Sequence, residues 1–264
     1  RAWDAVVDTC GYVPRVVRAS AELVAGAVAR YVFVSSVSVY AELRAPSDET
    51  AALATLEDET TESVEEAYGG LKVLCERVVT EGYGDRAVIA RPTYVVGPHD
   101  HTGRFTWWVH HGARGGTVLV PEGSAWRIQI IDVRDLARFL LLAAADPSLS
   151  GPYNVVGPRV EVGLVDIVEE AASLAGSEVR PVVVDDAFLV EQGVSDRELP
   201  LWVPEQEWAA WAQASAERAL AAGLVHTPVV ETIHATLDHA PMVDGVGLAP
   251  DREAELLAEY SRRA

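Results

Sequence analysis

The sequence predicts an α/β protein built around a parallel sheet, and two features of its patterning carry that expectation. Short β-branched or aromatic runs alternate with amphipathic stretches of about 10–15 residues, the rhythm of βαβ units. The runs are also brief and nearly unbroken in their apolar character, as buried strands are.

The elements follow in order. Trp3 to Thr9 is an apolar run ending in Cys10-Gly11, which reads as a buried strand and its turn. Pro14 to Ala29 has helical periodicity, with the proline suited to a first turn. Tyr31 to Val34 is the next strand and runs into Ser35-Ser36-Val37-Ser38-Val39-Tyr40. Between Glu42 and Glu66 stand nine carboxylates and one arginine, the composition of a solvated loop or helix face. Ser63 to Glu81 reads as a helix opened by a Ser63/Glu66 capping box.

Arg86 to Arg91 is a strand stopped by Pro92, and Val118 to Val120 and Arg127 to Ile131 are further strands. A helix over Asp132 to Ala145 and a strand over Tyr153 to Val156 complete the regular part. Beyond about residue 160 the rhythm loosens. Helices are expected over Val162 to Ala175, Ala214 to Ala222 and Asp251 to Arg262, while Glu198 to Trp211 holds three tryptophans and two prolines. Residues 1–160 therefore read as the sheet domain and 161–264 mainly as a smaller lobe.

Bulk composition narrows the function. The 264 residues carry a net charge of −19, with a pI near 4.7. That balance disfavours nucleic acid and anionic membranes as partners, since both require a cationic footprint. The richest apolar run, Phe139 to Ala145, is far shorter than the roughly 20 residues of a membrane span. The two cysteines, Cys10 and Cys75, form no disulfide framework, so a cytoplasmic location is expected. The chain begins at Arg1 and its one methionine is Met242, so an upstream segment is expected to be missing.

Basic residues are distributed unevenly by type. Of 21, one is a lysine, Lys72, four residues after Tyr68 in Ala67-Tyr68-Gly69-Gly70-Leu71-Lys72. Arginine meets the ordinary surface requirement, which leaves Lys72 to supply what a broad planar guanidinium cannot: a compact ammonium on a flexible stem. At i and i+4 on a helix the two side chains share a face. A free phenol titrates near 10, and an adjacent ammonium favours its ionised form, turning a poor base into a usable one. Ser36, at the carboxyl end of a predicted parallel strand, could orient a reacting oxygen, because ligands of open α/β sheets bind at those ends.

These residues, with Val39-Tyr40 after Ser36, Arg91-Pro92-Thr93-Tyr94-Val95-Val96-Gly97-Pro98, Ile131-Asp132-Val133-Arg134-Asp135-Leu136-Ala137 and Gly151-Pro152-Tyr153-Asn154-Val155, resemble the extended short-chain dehydrogenase/reductase family. That family is also known as the NAD-dependent epimerase/dehydratases. The resemblance runs through most of residues 4–240. It implies a Rossmann-type doubly wound parallel sheet with a smaller C-terminal α/β substrate lobe, and an NAD(P)-dependent oxidoreductase or epimerase acting on a hydroxyl or carbonyl of a small molecule such as a nucleotide-sugar.

By that resemblance Tyr68 is the general acid/base, Lys72 assists it and holds the nicotinamide ribose, and Ser36 holds the substrate oxygen. Thr9, Cys10, Gly11, Val34, Pro92 and Thr93 border the cofactor, NAD or NADP with a slight preference for NAD. The acidic loop and Pro98 to Trp108 border the substrate. A homodimer is compatible with the family. The alternatives are a non-catalytic cofactor- or RNA-binding relative and an inactive truncated chain.

One departure is large. No glycine-rich pyrophosphate-binding turn follows any strand. The chain reads as starting near the family's fourth strand, and it is expected to bind nicotinamide cofactor weakly. Dehydration is disfavoured, because Val37-Ser38 stands where a dehydratase places an Asp-Glu pair.

Further polar residues have two readings each. His99, with Asp100, His101, His110 and His111 nearby, is a pocket or surface-loop group rather than a metal ligand. Arg104 could bind a substrate carboxylate or phosphate. Arg127 and Gln129 alternate with isoleucines and would face one side of a strand. Ser38 is a second candidate for the serine role, Asp132 and Asp135 read as structural, and Cys10 as a buried inert thiol. Trp202, Trp208 and Trp211 read as packing of the small lobe.

Overall fold

The computed structural model describes residues 2–42, 46–202 and 213–263. The strands are β1 (Trp3–Asp8), β2 (Val28–Val34), β3 (Ala87–Pro92), β4 (Tyr94–Val96), β5 (Gly116–Pro121), β6 (Ile128–Asp132), β7 (Gly151–Val155), β8 (Gly157–Val162) and β9 (Val179–Val184). The helices are α1 (Pro14–Val24), α2 (Val64–Tyr83), α3 (Arg104–Arg114), α4 (Glu122–Ala125), α5 (Val133–Ala145), α6 (Leu164–Ala175), α7 (Asp186–Glu191), α8 (Glu217–Ala221), α9 (Val229–His239) and α10 (Pro250–Arg263). They form two compact units: residues 1–94, 134–157 and 213–226, and residues 95–133, 158–212 and 227–264.

The first unit holds a four-stranded sheet in the order β1-β2-β3-β7, every pair parallel. Tyr31, Phe33, Ala87 and Ile89 pack with Val17 and Ala21 of α1 and with Cys75, Val78, Val79 and Tyr83 of α2 in one core. Toward α5, Phe139 meets Tyr153 edge-on with ring centres 5.6 Å apart. Arg30 donates to the carbonyls of Ala143 and Leu149, and so satisfies an acceptor in the last turn of α5 that the helix cannot. Cover on both faces is why β2 and β3 read as continuous apolar runs.

The acidic connection is tethered rather than free. Asp48 and Asp58 each accept from the amide and hydroxyl of a threonine two residues on. Tyr40 pairs with Leu53 and Ser47 with Ala214 through isolated bridges.

The second unit contains a three-stranded sheet in the order β4-β6-β8 and a parallel β5-β9 pair. Buried Glu253 of α10 accepts from His111 at 2.9 Å and from the Leu119 amide at 2.9 Å, which ties α10 to α3 and β5. Burial opposes ionisation of that carboxyl, but these bonds outweigh it and hold its pKa below the ordinary value.

Several expectations are corrected. The first helix ends at Val24, because the chain turns through Ala25 to Ala27 and begins β2 at Val28. The Ser63/Glu66 box does not form: the Ser63 amide, which Glu66 would have to reach, already donates to the Thr61 hydroxyl. Strands β4, β8 and β9 were not anticipated. Cys10 is exposed, in the turn after β1, and the buried thiol is Cys75. Trp202 is buried and donates to Asp186, while Trp208 and Trp211 lie outside the described residues.

Burial pushes the Cys75 thiol up to about 12, so almost none of it is thiolate near pH 8. Iodoacetamide at that pH should therefore alkylate Cys10 alone in the native chain and both cysteines in denaturant, read by intact-mass spectrometry. Two modified thiols in the native chain would contradict the packing of α2 on the sheet.

Candidate active site

The site is assembled at the carboxyl ends of β1, β2 and β3. Ser36 follows β2 and caps the short 3-10 turn Val37–Val39. Its Oγ accepts from the Ser38 amide at 3.1 Å and donates to the Ser38 hydroxyl at 2.9 Å. The two serines thus act as one hydroxyl pair.

Helix α2 brings the other half. Its backbone is non-helical at Ala67 (φ −127°, ψ 22°), one residue before Tyr68. The next residue, Gly69, lies directly on the serine loop: a Cβ there would stand 2.2 Å from the Ser38 carbonyl oxygen. Only glycine allows this approach, which lays α2 against the serine loop at the residue after Tyr68.

Lys72 is 3% exposed. Its Nζ donates to the Gly11 carbonyl at 2.8 Å and to the Val34 carbonyl at 2.9 Å, linking the turn after β1 to the end of β2. An ammonium has three donors, so one proton remains beyond these two bonds. Nζ also lies 6.0 Å from the centre of the Tyr68 ring. Burial lowers the Lys72 pKa, against the opposing pull of Cys75, Asp8 and Glu76. Asp8 braces the turn itself, accepting from the Cys10 amide at 3.1 Å and from Tyr31 OH at 2.7 Å.

A buried ion pair lies one helical turn beyond Lys72. Glu76 receives two bonds from Arg91, at 3.0 and 2.6 Å. Arg91 also donates to Tyr40 OH at 3.1 Å, Tyr40 to Asn154 Oδ1 at 2.6 Å, and the Asn154 amide to Glu49 at 2.7 Å. Burial pulls the Arg91 pKa down, but Glu76 more than compensates and the guanidinium stays charged. In the sequence Arg91 and Asn154 stand within family-like motifs, and Glu76 stands in none. The available signal was spacing, since Glu76 continues the Tyr68–Lys72 stripe of α2.

The cofactor-side candidates divide by environment. Thr9 and Cys10 are exposed, Gly11 is buried, and Pro92 ends β3. The hydroxyls of Ser35 and Thr93, at the ends of β2 and β3, are buried with no hydrogen-bond partner among the described residues. Orphaned hydroxyls here and the unused Lys72 proton fit a polar ligand such as a nicotinamide riboside at these strand ends.

Of the substrate-side candidates, Ser38 lies in the first unit, and His99, Arg104, Arg127 and Gln129 lie in the second. His99 has a left-handed backbone (φ 65°), donates its amide to the His239 carbonyl and stacks on the His239 ring at 6.2 Å. Arg104 is exposed at the start of α3, Arg127 pairs with Glu161 at 3.0 Å, and Gln129 is half-buried on β6. His110 bonds the Ala240 carbonyl, and Asp132 accepts from the Thr232 hydroxyl. Among the described residues, no group of three His, Cys, Asp or Glu side chains is placed to hold a metal. No helix among them is long and apolar enough to cross a membrane.

The profile of the NAD dependent epimerase/dehydratase family matches residues 2–156, and the chain belongs to that family. No curated protein matches it by sequence. Among solved structures it is similar to the Bordetella bronchiseptica enzyme WbmH in complex with NAD+, at 18% identity and a TM-score of 0.64, over 89% of this chain and 74% of that one. The UDP-glucuronic acid 4-epimerase of Bacillus cereus in complex with NAD matches at 15% identity and a TM-score of 0.59, over 85% of this chain and 63% of that one. RMD from Pseudomonas aeruginosa complexed with NADPH matches at 19% identity and a TM-score of 0.56, over 89% of this chain and 81% of that one. These likenesses establish the Rossmann-like fold.

The Gly69 contact gives a stability test. Alanine normally gains about 1 kcal/mol over glycine inside a helix, but Gly69→Ala must displace backbone and should destabilise by about 1–3 kcal/mol in urea titration. At Gly70 the three atoms nearest a Cβ all belong to the Leu56 side chain, which can move, so Gly70→Ala should cost less. Equal costs would show that the Gly69 approach is not tight.

Proposed function

We propose that this member of the NAD dependent epimerase/dehydratase family is an oxidoreductase or epimerase of the extended short-chain type. The observation that supports the reading is a buried Lys72 whose Nζ lies 6.0 Å from the centre of the Tyr68 ring, at the carboxyl ends of a parallel sheet that also present the Ser36–Ser38 hydroxyl pair. A nicotinamide cofactor supplies hydride chemistry when bound. The chain's own residues handle the proton. Tyr68 gives or takes it at its phenol oxygen, with the nearby Lys72 charge favouring the ionised phenol. The Ser36–Ser38 pair holds the substrate oxygen through the hydroxyl proton that Ser38 still has to offer.

On this reading Gly11, Val34, Pro92 and Thr93 line the nicotinamide end, with Thr9 and Cys10 at the margin. The first unit is the nicotinamide-binding part, and the second, with His99, Arg104, Arg127 and Gln129, carries the substrate. The substrate class is a nucleotide-sugar or similar small molecule, by analogy with the UDP-glucuronic acid 4-epimerase to which the fold is similar. NAD is slightly preferred over NADP, the setting is cytoplasmic, and a homodimer is compatible with the family. Val37-Ser38 in place of an acidic pair favours reduction or epimerisation over dehydration.

Without a glycine-rich turn, cofactor affinity should be weak, with a Kd of about 1 mM rather than 1 μM by calorimetry. At saturating NAD+ or NADP+ with a panel of nucleotide-sugars, and at saturating NADH or NADPH with a panel of carbonyl compounds, Tyr68→Phe should lower turnover about 10²–10⁴-fold with cofactor binding unchanged. Equal turnover by the variant would overturn the assignment of Tyr68.

A further inference from the structure

The Lys72 ammonium is enclosed by more than its two carbonyl partners. Its Nζ lies 4.8 Å from the centre of the Tyr12 ring, 4.9 Å from that of Phe33 and 6.0 Å from that of Tyr68. All three are within the roughly 6 Å at which a ring face attracts a cation. Tyr12 and Tyr68 also approach each other, with ring centres 6.4 Å apart. Phe33 is fully buried in the sheet and Tyr68 has a chemical role of its own. Tyr12 differs from both: it stands in the turn after β1, is 46% exposed, and has no part in the core.

We propose that Tyr12 is a positioning residue whose ring closes the cage around the Lys72 ammonium, holding the charge dehydrated yet stable between Gly11, Val34 and Tyr68. The inference rests on the proposed role of Lys72 and deepens it. Beyond the proton left for a ligand, two carbonyls alone leave much of the ammonium's surface to water. Three ring faces replace that water with a fixed electrostatic partner that takes no proton and needs no reorganisation. Tyr12 therefore acts through its ring, not its hydroxyl, and phenylalanine should replace it.

A lone lysine makes the test direct. Protein grown with lysine labelled at Cε gives one side-chain resonance, whose titration reads Lys72 without any substrate or cofactor. Tyr12→Leu keeps an apolar neighbour and removes the ring face, so Lys72 should titrate about 0.5–1 pH unit lower than in the wild type. Tyr12→Phe should titrate with the wild type. An unmoved titration in Tyr12→Leu, a rise in it, or an equal fall in Tyr12→Phe would overturn the proposal. The wild type alone gives a second reading that needs no variant. Ring currents from the cage should move the Lys72 Cε protons upfield of an exposed lysine, and an unshifted resonance would also overturn it. If the titration behaves as stated and Tyr68→Phe retains turnover, the cage stands and the catalytic reading falls.

Discussion

The geometry of the site depends on one buried contact, the Glu76–Arg91 pair. Glu76 belongs to the helix that carries Tyr68 and Lys72, and Arg91 to the strand beside the one that leads into Ser36. With side chains 7% and 3% exposed, both charges have lost their water. Dehydration of that kind costs several kcal/mol per ion, and an apolar pair of equal volume is often as stable. What an apolar pair lacks is direction. Two parallel bonds at 3.0 and 2.6 Å admit one rotation and one height of α2 over the sheet. Tyr40 and Asn154 extend the constraint to the serine loop and to β7.

A fixed helix height lets Lys72 reach two carbonyls at once and lets Gly69 lie on the Ser38 carbonyl. These contacts are interdependent. A helix shifted by a fraction of an ångström would open one bond of the lysine or drive the backbone of residue 69 into the serine loop. The kink at Ala67 serves the same end, because it frees the approach to Tyr68 from the direction of the first turn. The order of causes is then sheet, ion pair, helix height, lysine, and last the environment of the phenol.

How much of this was legible in the sequence follows from which residues announce themselves alone. Tyr68 and Lys72 stand out because their spacing and the rarity of lysine are properties of the linear chain. The central strands stand out because burial on both faces leaves an unbroken apolar run. β8 was invisible for the opposite reason: Gly157–Val162 has Val160 at 76% exposure and no continuous apolar character. Ser63 and Glu66 had the right types for a cap, but Thr61 took the amide first, a competition that composition does not display. Cys10 read as buried because thiols usually are, yet it sits in a turn whose buried member is Gly11. Tyr12 gave no signal at all. Its partners, Tyr68 and Lys72, are 56 and 60 residues away in sequence, and only the fold makes them neighbours.

The scarcity of lysine now has a structural reason. Between the Gly11 and Val34 carbonyls and the faces of three aromatic rings there is room for a compact ammonium whose donors point along separate directions. A guanidinium at that position would present a flat fork with five donors, three more than the two carbonyls take, and would spread the charge over a plane in place of a compact centre among the rings. Arginine can serve wherever a cation meets a carboxylate edge-on, as Arg91, Arg15 and Arg263 do with Glu76, Glu62 and Glu191. A chain that uses arginine for its other twenty cationic positions therefore keeps a lysine at the one place where the shape of the charge, rather than its sign, decides whether the site closes.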